Sequence, residues 1–313
     1  MRIRYRFLAA VVPLGVALLA SACSSSTAAT TGSSGSSGSK IVAVGAENEY
    51  ADVLTQVGGK YVQASAIMSN PNTDPHTFEA SASVARTVSA AQLVVQNGVG
   101  YDTFMNTIEN AAPSSSRKVI TVQNLLGLPT DTPNPHLWYK PVTMPAVADA
   151  VAADLAALQP SHASYFKANA AAFISSLTAW NNAIAAFKAK YANTPVATTE
   201  PVADYMLQAA GADNMTPFAF QADIMNGTDP SAQDVAIERS LFTQHKVKVF
   251  LYNQQVTDSL TESLITLAQQ NGIPVVGVYE TMPVPGYDYQ SWMLAEVQAL
   301  QKAVTSKVST EHL

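Results

Sequence analysis

The chain alternates short apolar runs with longer amphipathic stretches. Ile41-Val42-Ala43-Val44, Tyr61–Met68, Gln92–Gln96 and Lys118–Val122 read as buried strands, separated by helical stretches over about 48–57, 81–90 and 101–112. Gly58-Gly59 stops the first helix, and Gly98-Val99-Gly100 reads as a turn. An Ala-rich helical zone follows over 144–158 and breaks at Gln159-Pro160. Ser161 then opens a helix expected to run to about Tyr191, with Tyr165, Phe166, Phe173, Leu177, Trp180, Ile184 and Phe187 at helical spacing as core positions. Beyond it the alternation restarts. Strands are expected at 195–198, 247–252 and 274–278, and helices at 202–210, from Asp229-Pro230 to about 244, at 258–270 and at 289–307. The pattern predicts an α/β protein of two lobes, each with a parallel sheet flanked by helices, joined by one long helix.

The first 39 residues fit neither pattern. Arg2, Arg4 and Arg6 precede a short apolar run ending at Ala20-Ser21-Ala22, which reads as a secretion signal over 1–22 and is too short for an ordinary membrane span. Cys23 is the only cysteine, so no intramolecular disulfide forms. A lone cysteine just after small residues resembles a bacterial lipoprotein signal, which implies lipidation of Cys23 and anchoring on the outer face of the cell membrane. Residues 23–39 are almost entirely Ser, Thr, Ala and Gly and are expected to be a flexible tether. The organisation expected from there is an N-terminal lobe over 40–142, a linking helical region over 143–193 and a C-terminal lobe over 194–313.

Composition narrows the function. Apolar residues make up 48% and charged residues 13%, which is globular. Net charge is −6, and removal of the signal with its three arginines lowers it by three to −9. An acidic chain without basic clusters argues against nucleic acid as a partner. Only five histidines occur, and two share one setting: Asp74-Pro75-His76-Thr77-Phe78-Glu79 and Asn134-Pro135-His136-Leu137-Trp138. Proline stiffens a loop, so each step presents an imidazole, the commonest side-chain ligand for transition metals. In parallel sheets ligands bind beyond the carboxyl ends of strands. Ligand-type residues expected there are His76, His136, Glu200 and Glu280, two from each lobe. Two imidazoles and two carboxylates suit zinc, manganese or iron. His162, His245 and His312 read as structural or surface residues, as do Asp223 and Glu238, and Asp288 competes with Glu280 as fourth ligand. Trp138 and Tyr279, beside proposed ligands, are candidate walls of the site.

With these motifs in view, residues 40 to 310 resemble the solute-binding lipoproteins of ABC importers for zinc, manganese and related metals. The resemblance rests on Gly58-Gly59 before a strand, the Pro75-His76 loop, Asn97-Gly98 and Asn134-Pro135-His136. It continues through Pro160 to Tyr165, Asn169, Thr199-Glu200-Pro201 and Gly286 to Met293. It implies two lobes on one stiff helix with limited closure, a monomer, and delivery of one metal ion to a permease whose ATPase is a separate chain. The family ligands fall on His76, His136, Glu200 and Glu280; the last is commonly aspartate, so Glu280 is a departure. No histidine lies between His76 and His136, whereas zinc-specific members often carry a His-rich loop there, which leans toward manganese or iron. The rival readings are an exported metal-dependent hydrolase and a surface adhesin. No HExxH-type helix is present for the former.

Overall fold

The computed structural model describes residues 39–72, 75–283 and 285–313. Cys23, the signal segment and all of the tether but Ser39 lie outside them. The described strands are β1 (Ile41–Glu47), β2 (Val62–Met68), β3 (Leu93–Gln96), β4 (Lys118–Thr121), β5 (Pro195–Thr198), β6 (Asp213–Asn214), β7 (Val249–Asn253) and β8 (Val275–Val278). They form two four-stranded sheets, ordered β2-β1-β3-β4 and β6-β5-β7-β8, in which every pairing is parallel. The expected two-sheet α/β architecture is therefore present. Every residue of β3, β7 and β8 is buried, as strands covered by helices on both faces must be. In each sheet the strand order reverses between two central strands, β1 and β3 in the first, β5 and β7 in the second. Loops leave such a point in opposite directions and open a crevice at the carboxyl ends.

The expected long helix is built as two consecutive helices, Ala163–Ser176 and Thr178–Tyr191, with Leu177 between them. Leu177 keeps right-handed angles (φ −71°, ψ −7°), so the helical sense continues. The local cause is the pair of flanking hydroxyls. Ser176 Oγ donates to Phe173 O at 2.7 Å and Thr178 Oγ1 to Ser175 O at 2.6 Å, in competition with the main-chain ladder. The first helix packs on helices Asn48–Gly58 and Thr143–Leu158, and the second on Asp204–Ala210 and Tyr289–Ser306. One continuous apolar cluster runs through both halves, with Trp138, Tyr139, Phe173, Trp180, Tyr289 and Trp292 among its members. Residues 39–313 accordingly form one compact unit.

Elsewhere the elements differ from expectation in small ways. The helix expected to begin at Asp229-Pro230 begins at Ala232, because the Ser231 hydroxyl, not Asp229, accepts the Asp234 N–H at 3.1 Å and caps it. Glu238, expected at the surface, is wholly buried on that helix. Strand β6 and the helix Phe218–Met225 were not expected. No helix among the described residues is long and apolar enough to cross a membrane.

Candidate metal centre

Each candidate ligand leaves a sheet or a stiffened loop where the expectation put it. His76 lies in the short 3-10 turn Pro75–Thr77 that follows β2. His136 precedes the turn Leu137–Tyr139. Glu200 follows β5 by two residues and Glu280 follows β8 by two. Three of them converge. His76 Nε2 and His136 Nε2 each stand 3.2 Å from Glu280 Oε2, and ligand atoms of the three residues lie within 4.8 Å of one another. Four donors set tetrahedrally at about 2.0 Å from an ion stand about 3.3 Å apart, so the spacing is that of neighbours around one small cation. Glu200 is outside this inner group; its Oε1 joins it through Asn253, whose Nδ2 donates to Glu200 Oε1 at 3.1 Å and to Glu280 Oε1 at 2.6 Å. His136, Glu200 and Glu280 are buried, whereas the His76 side chain is 22% exposed.

The hydrogen bonds decide which nitrogen of His136 faces the centre. Asn134 Nδ2 donates to Pro201 O at 2.7 Å, so its Oδ1 must face the histidine. That oxygen accepts both the His136 backbone N–H at 2.9 Å and ring Nδ1–H at 2.8 Å. A neutral imidazole carries one N–H, which leaves Nε2 with a lone pair. This lone pair points at a carboxylate oxygen 3.2 Å away. Two lone pairs facing each other require a positive centre between them, either a proton or a metal ion. Burial lowers the His136 pKa, against the opposing pull of Glu280, so a proton there is held less tightly than on a free imidazole. Asn134 thus fixes the ring tautomer that turns Nε2, not Nδ1, toward Glu280.

Glu280 is held as the anion. Burial would raise its pKa, but in the metal-free cluster the hydrogen bonds and charge of protons shared with His136 and His76 outweigh burial and hold it well below the usual carboxylate range. Tyr101 OH donates to its Oε2 at 2.9 Å. Tyr101 is delivered by the Gly98-Val99-Gly100 turn, whose three residues all have positive φ, 83°, 55° and 78°. Such angles are uncommon for valine. The turn is clamped by Asp102, which accepts the N–H groups of Asn97 and Gly98, and by Gln123, which accepts that of Val99. Burial pushes the Asp102 carboxyl up to about 6. Glu47, the last residue of β1, and Glu49, in the helix Asn48–Gly58 that follows, are also buried, and burial pushes both carboxyls far above the usual carboxylate range. Trp138 stands edge-on to His136, ring centroids 5.4 Å apart, and walls the centre. Tyr279 turns away from it, its hydroxyl accepting the Leu313 N–H at 3.3 Å.

The remaining candidates sit apart. Asp288 caps the last helix through Ser291, which accounts for its carboxylate. His162 stacks on Tyr61 at 3.7 Å. A groove of about 690 Å³ along Asp204, Tyr205 and Asn214 reaches Asn134 but none of the four candidate ligands. A smaller cavity of about 250 Å³, lined by Met68, Pro75, Phe78 and Thr281, opens beside the His76 turn. Sequence reasoning missed Asn134, Tyr101, Asn253 and also Gln255, whose Oε1 accepts the backbone N–H groups of Glu280 at 2.7 Å and Thr281 at 2.9 Å. The first was legible as the polar residue two before a Pro-His histidine. The others sit at a strand end or after a glycine turn and carry no spacing signal.

The family model described as zinc-uptake complex component A, periplasmic, matches residues 44–303. The manganese-binding lipoprotein MntA of Bacillus subtilis (strain 168) is 22% identical over 239 residues, 72% of this chain and 74% of the relative. The fold superposes on the periplasmic zinc-binding protein TroA of Treponema pallidum with a TM-score of 0.71, at 18% identity, covering 87% of this chain and all of that one. It superposes on the solute-binding protein FpvC of Pseudomonas aeruginosa, solved with Mn2+, with a TM-score of 0.69, at 19% identity, covering 86% of this chain and 99% of that one.

Proposed function

The chain belongs to the family of periplasmic zinc-uptake complex component A, and on that premise we propose that it captures one divalent transition-metal ion outside the cytoplasm and passes it to an ABC-type importer. The observation that carries the reading is the His136 Nε2 lone pair aimed at an ionised Glu280. His76, His136 and Glu280 hold the ion, and Glu200 closes the set from the second sheet. The relatives' cargoes, zinc and manganese, are the candidates here, and the donor set also accepts ferrous iron. His76 is the ligand with solvent access, so the ion meets it first. Binding displaces whatever proton lies between His136 and Glu280.

Capture and release are the whole of the chemistry, and the protein catalyses nothing. The permease and its ATPase are separate chains. We divide the molecule into an N-terminal lobe (40–142), a linking helical region (143–193) and a C-terminal lobe (194–313). The apolar cluster common to both halves supports small adjustments over a wide hinge opening. Residues 1–22 are removed on export, lipidated Cys23 holds a monomer on the outer face of the membrane, and residues 23–39 are its tether.

The test is uptake of labelled zinc and manganese by a strain deleted for this gene. Restoration by wild type and not by His136→Ala supports the reading; equal uptake with and without the gene contradicts it. Release of Cys23→Ala from the membrane fraction supports the anchor.

A further inference from the structure

Glu280 leaves β8 on a segment whose main chain is held by side chains. From Tyr279 to Met282, four consecutive N–H groups each go to one. Tyr279 N–H is donated to the Tyr139 hydroxyl at 3.3 Å and Met282 N–H to Asn48 Oδ1 at 2.9 Å. Between them, Gln255 Oε1 accepts Glu280 N–H at 2.7 Å and Thr281 N–H at 2.9 Å. The two outer ties are doubled. The Tyr139 hydroxyl donates to Tyr279 O at 2.9 Å, and Asn48 Nδ2 donates to Met282 O at 2.8 Å. Gln255 follows β7 and so stands on the same sheet as Glu280. Tyr139 and Asn48 do not. Asn48 opens the helix after β1, and Tyr139 ends the short turn that His136 precedes, its N–H donated to His136 O at 3.2 Å.

Glu280 is thus part of the second sheet by sequence, yet its main chain is fastened on both sides to elements of the half that carries His76 and His136. Tyr139 and Asn48 are both buried, so their bonds do not compete with water. The Tyr139 ring is fixed in turn. It stands edge-on to Trp292 with ring centroids 5.7 Å apart, and its hydroxyl lies 3.2 Å from Glu296 Oε1, which also accepts Trp292 Nε1–H at 3.0 Å. A ligand whose backbone is already ordered loses little freedom when the ion arrives, because that entropy was lost on folding. We propose that Tyr139 and Asn48 are positioning residues for metal capture: by fastening the main chain before and after Glu280 to the histidine-bearing half, they keep His76, His136 and Glu280 assembled before the ion arrives. This rests on the ligand assignment proposed above. Neither residue is itself a ligand. Their effect on affinity runs through the fraction of metal-free molecules in which the three ligands stand together, since apparent affinity scales with that fraction.

Tyr139→Phe deletes one hydroxyl and Asn48→Ala deletes the other tie. Leu264→Ala opens a cavity in the separate apolar cluster around Phe242 and Phe250, and it controls for lost stability alone. Zinc affinity is measured by chelator competition, and chelator-treated wild type is crystallised without metal. The metal-free crystals should keep Glu280 Oε2 within hydrogen-bond reach of both histidine Nε2 atoms. Tyr139→Phe and Asn48→Ala should each lose about tenfold in zinc affinity, as when the assembled fraction falls to about a tenth. Leu264→Ala should bind zinc as wild type does, whatever stability it loses. Affinity within twofold of wild type in both folded tie variants overturns the positioning role and leaves metal capture standing. An equal loss of affinity in Leu264→Ala does the same. Should the tie variants fail to fold, the metal-free wild-type crystals decide, and a Glu280 carboxylate turned away from the histidines overturns the role. Failure of wild type to bind zinc or manganese overturns the proposed function itself.

Discussion

Replacing Asn134 by alanine removes three hydrogen bonds around His136 without touching a proposed ligand. The ring Nδ1–H and the backbone N–H of His136 lose their common acceptor, and Pro201 O loses its donor. A buried N–H left without an acceptor costs about 1–3 kcal/mol, so the metal-free protein should lose about 2–4 kcal/mol in all. The effect on binding has a separate origin. With no acceptor at Nδ1 the imidazole is free to carry its proton on Nε2, where it donates to Glu280 and blocks the metal. Loss of such an outer partner lowers metal affinity by about 10–100-fold, or about 1.4–2.8 kcal/mol. Asn134→Asp separates the two effects, because it keeps an acceptor for Nδ1 and loses the donor to Pro201. It should recover most of the affinity and only part of the stability. Chelator competition reads the affinity, and nitrogen chemical shifts of the His136 ring read the tautomer. Affinity within twofold of wild type in Asn134→Ala, or a wild-type ring with its proton on Nε2 and none on Nδ1, would refute the argument.

Glu280→Gln should abolish most of the metal-dependent stabilisation, which is about 2.7 kcal/mol for wild type at 100 times Kd. Because the histidines hold Glu280 ionised, its depressed pKa contributes stability above the ordinary carboxylate pKa, and metal-free Glu280→Gln should be less stable at pH 7 by about 1–3 kcal/mol in denaturant melts. Glu238 has the opposite sign. Burial pushes its carboxyl from 4.5 up to about 8, so the folded protein keeps a proton the unfolded chain has lost, and stability falls as pH rises between those values. Glu238→Gln should therefore stabilise by about 2–3 kcal/mol at pH 7 and little near pH 4.5, and an equal gain at both pH values sinks that account. Metal binding should release protons, seen as a binding heat that changes with the ionisation enthalpy of the buffer; a buffer-independent heat contradicts it.

The sequence carried every described strand but the two-residue β6, the two stiffened histidine loops and the carboxylates just past β5 and β8, because those depend on local periodicity and on the topology of parallel sheets. What it did not carry depends on contacts across the fold. Asn253 reads as the polar end of an apolar strand; only the register of β7 between β5 and β8 puts its amide between Glu200 and Glu280. Tyr101 reads as the start of a helix, yet the left-handed turn before it sends its hydroxyl to Glu280. Glu238 was misplaced because charged residues are rarely buried, although its spacing from Val235, Leu241 and Phe242 puts it on the inward face. Asp288 and Glu280 were inseparable by type and distance along the chain. The cap that Asp288 provides to the last helix distinguishes them.

The central claim is that one ion is held where His76, His136 and Glu280 meet. Equilibrium dialysis against zinc and manganese, with the metal counted per chain by elemental analysis, tests it most directly. Wild type should bind one ion per chain, and His136→Ala combined with Glu280→Gln should bind none while keeping its far-ultraviolet circular dichroism. A folded double variant that still binds one ion per chain would place the metal elsewhere and contradict the account.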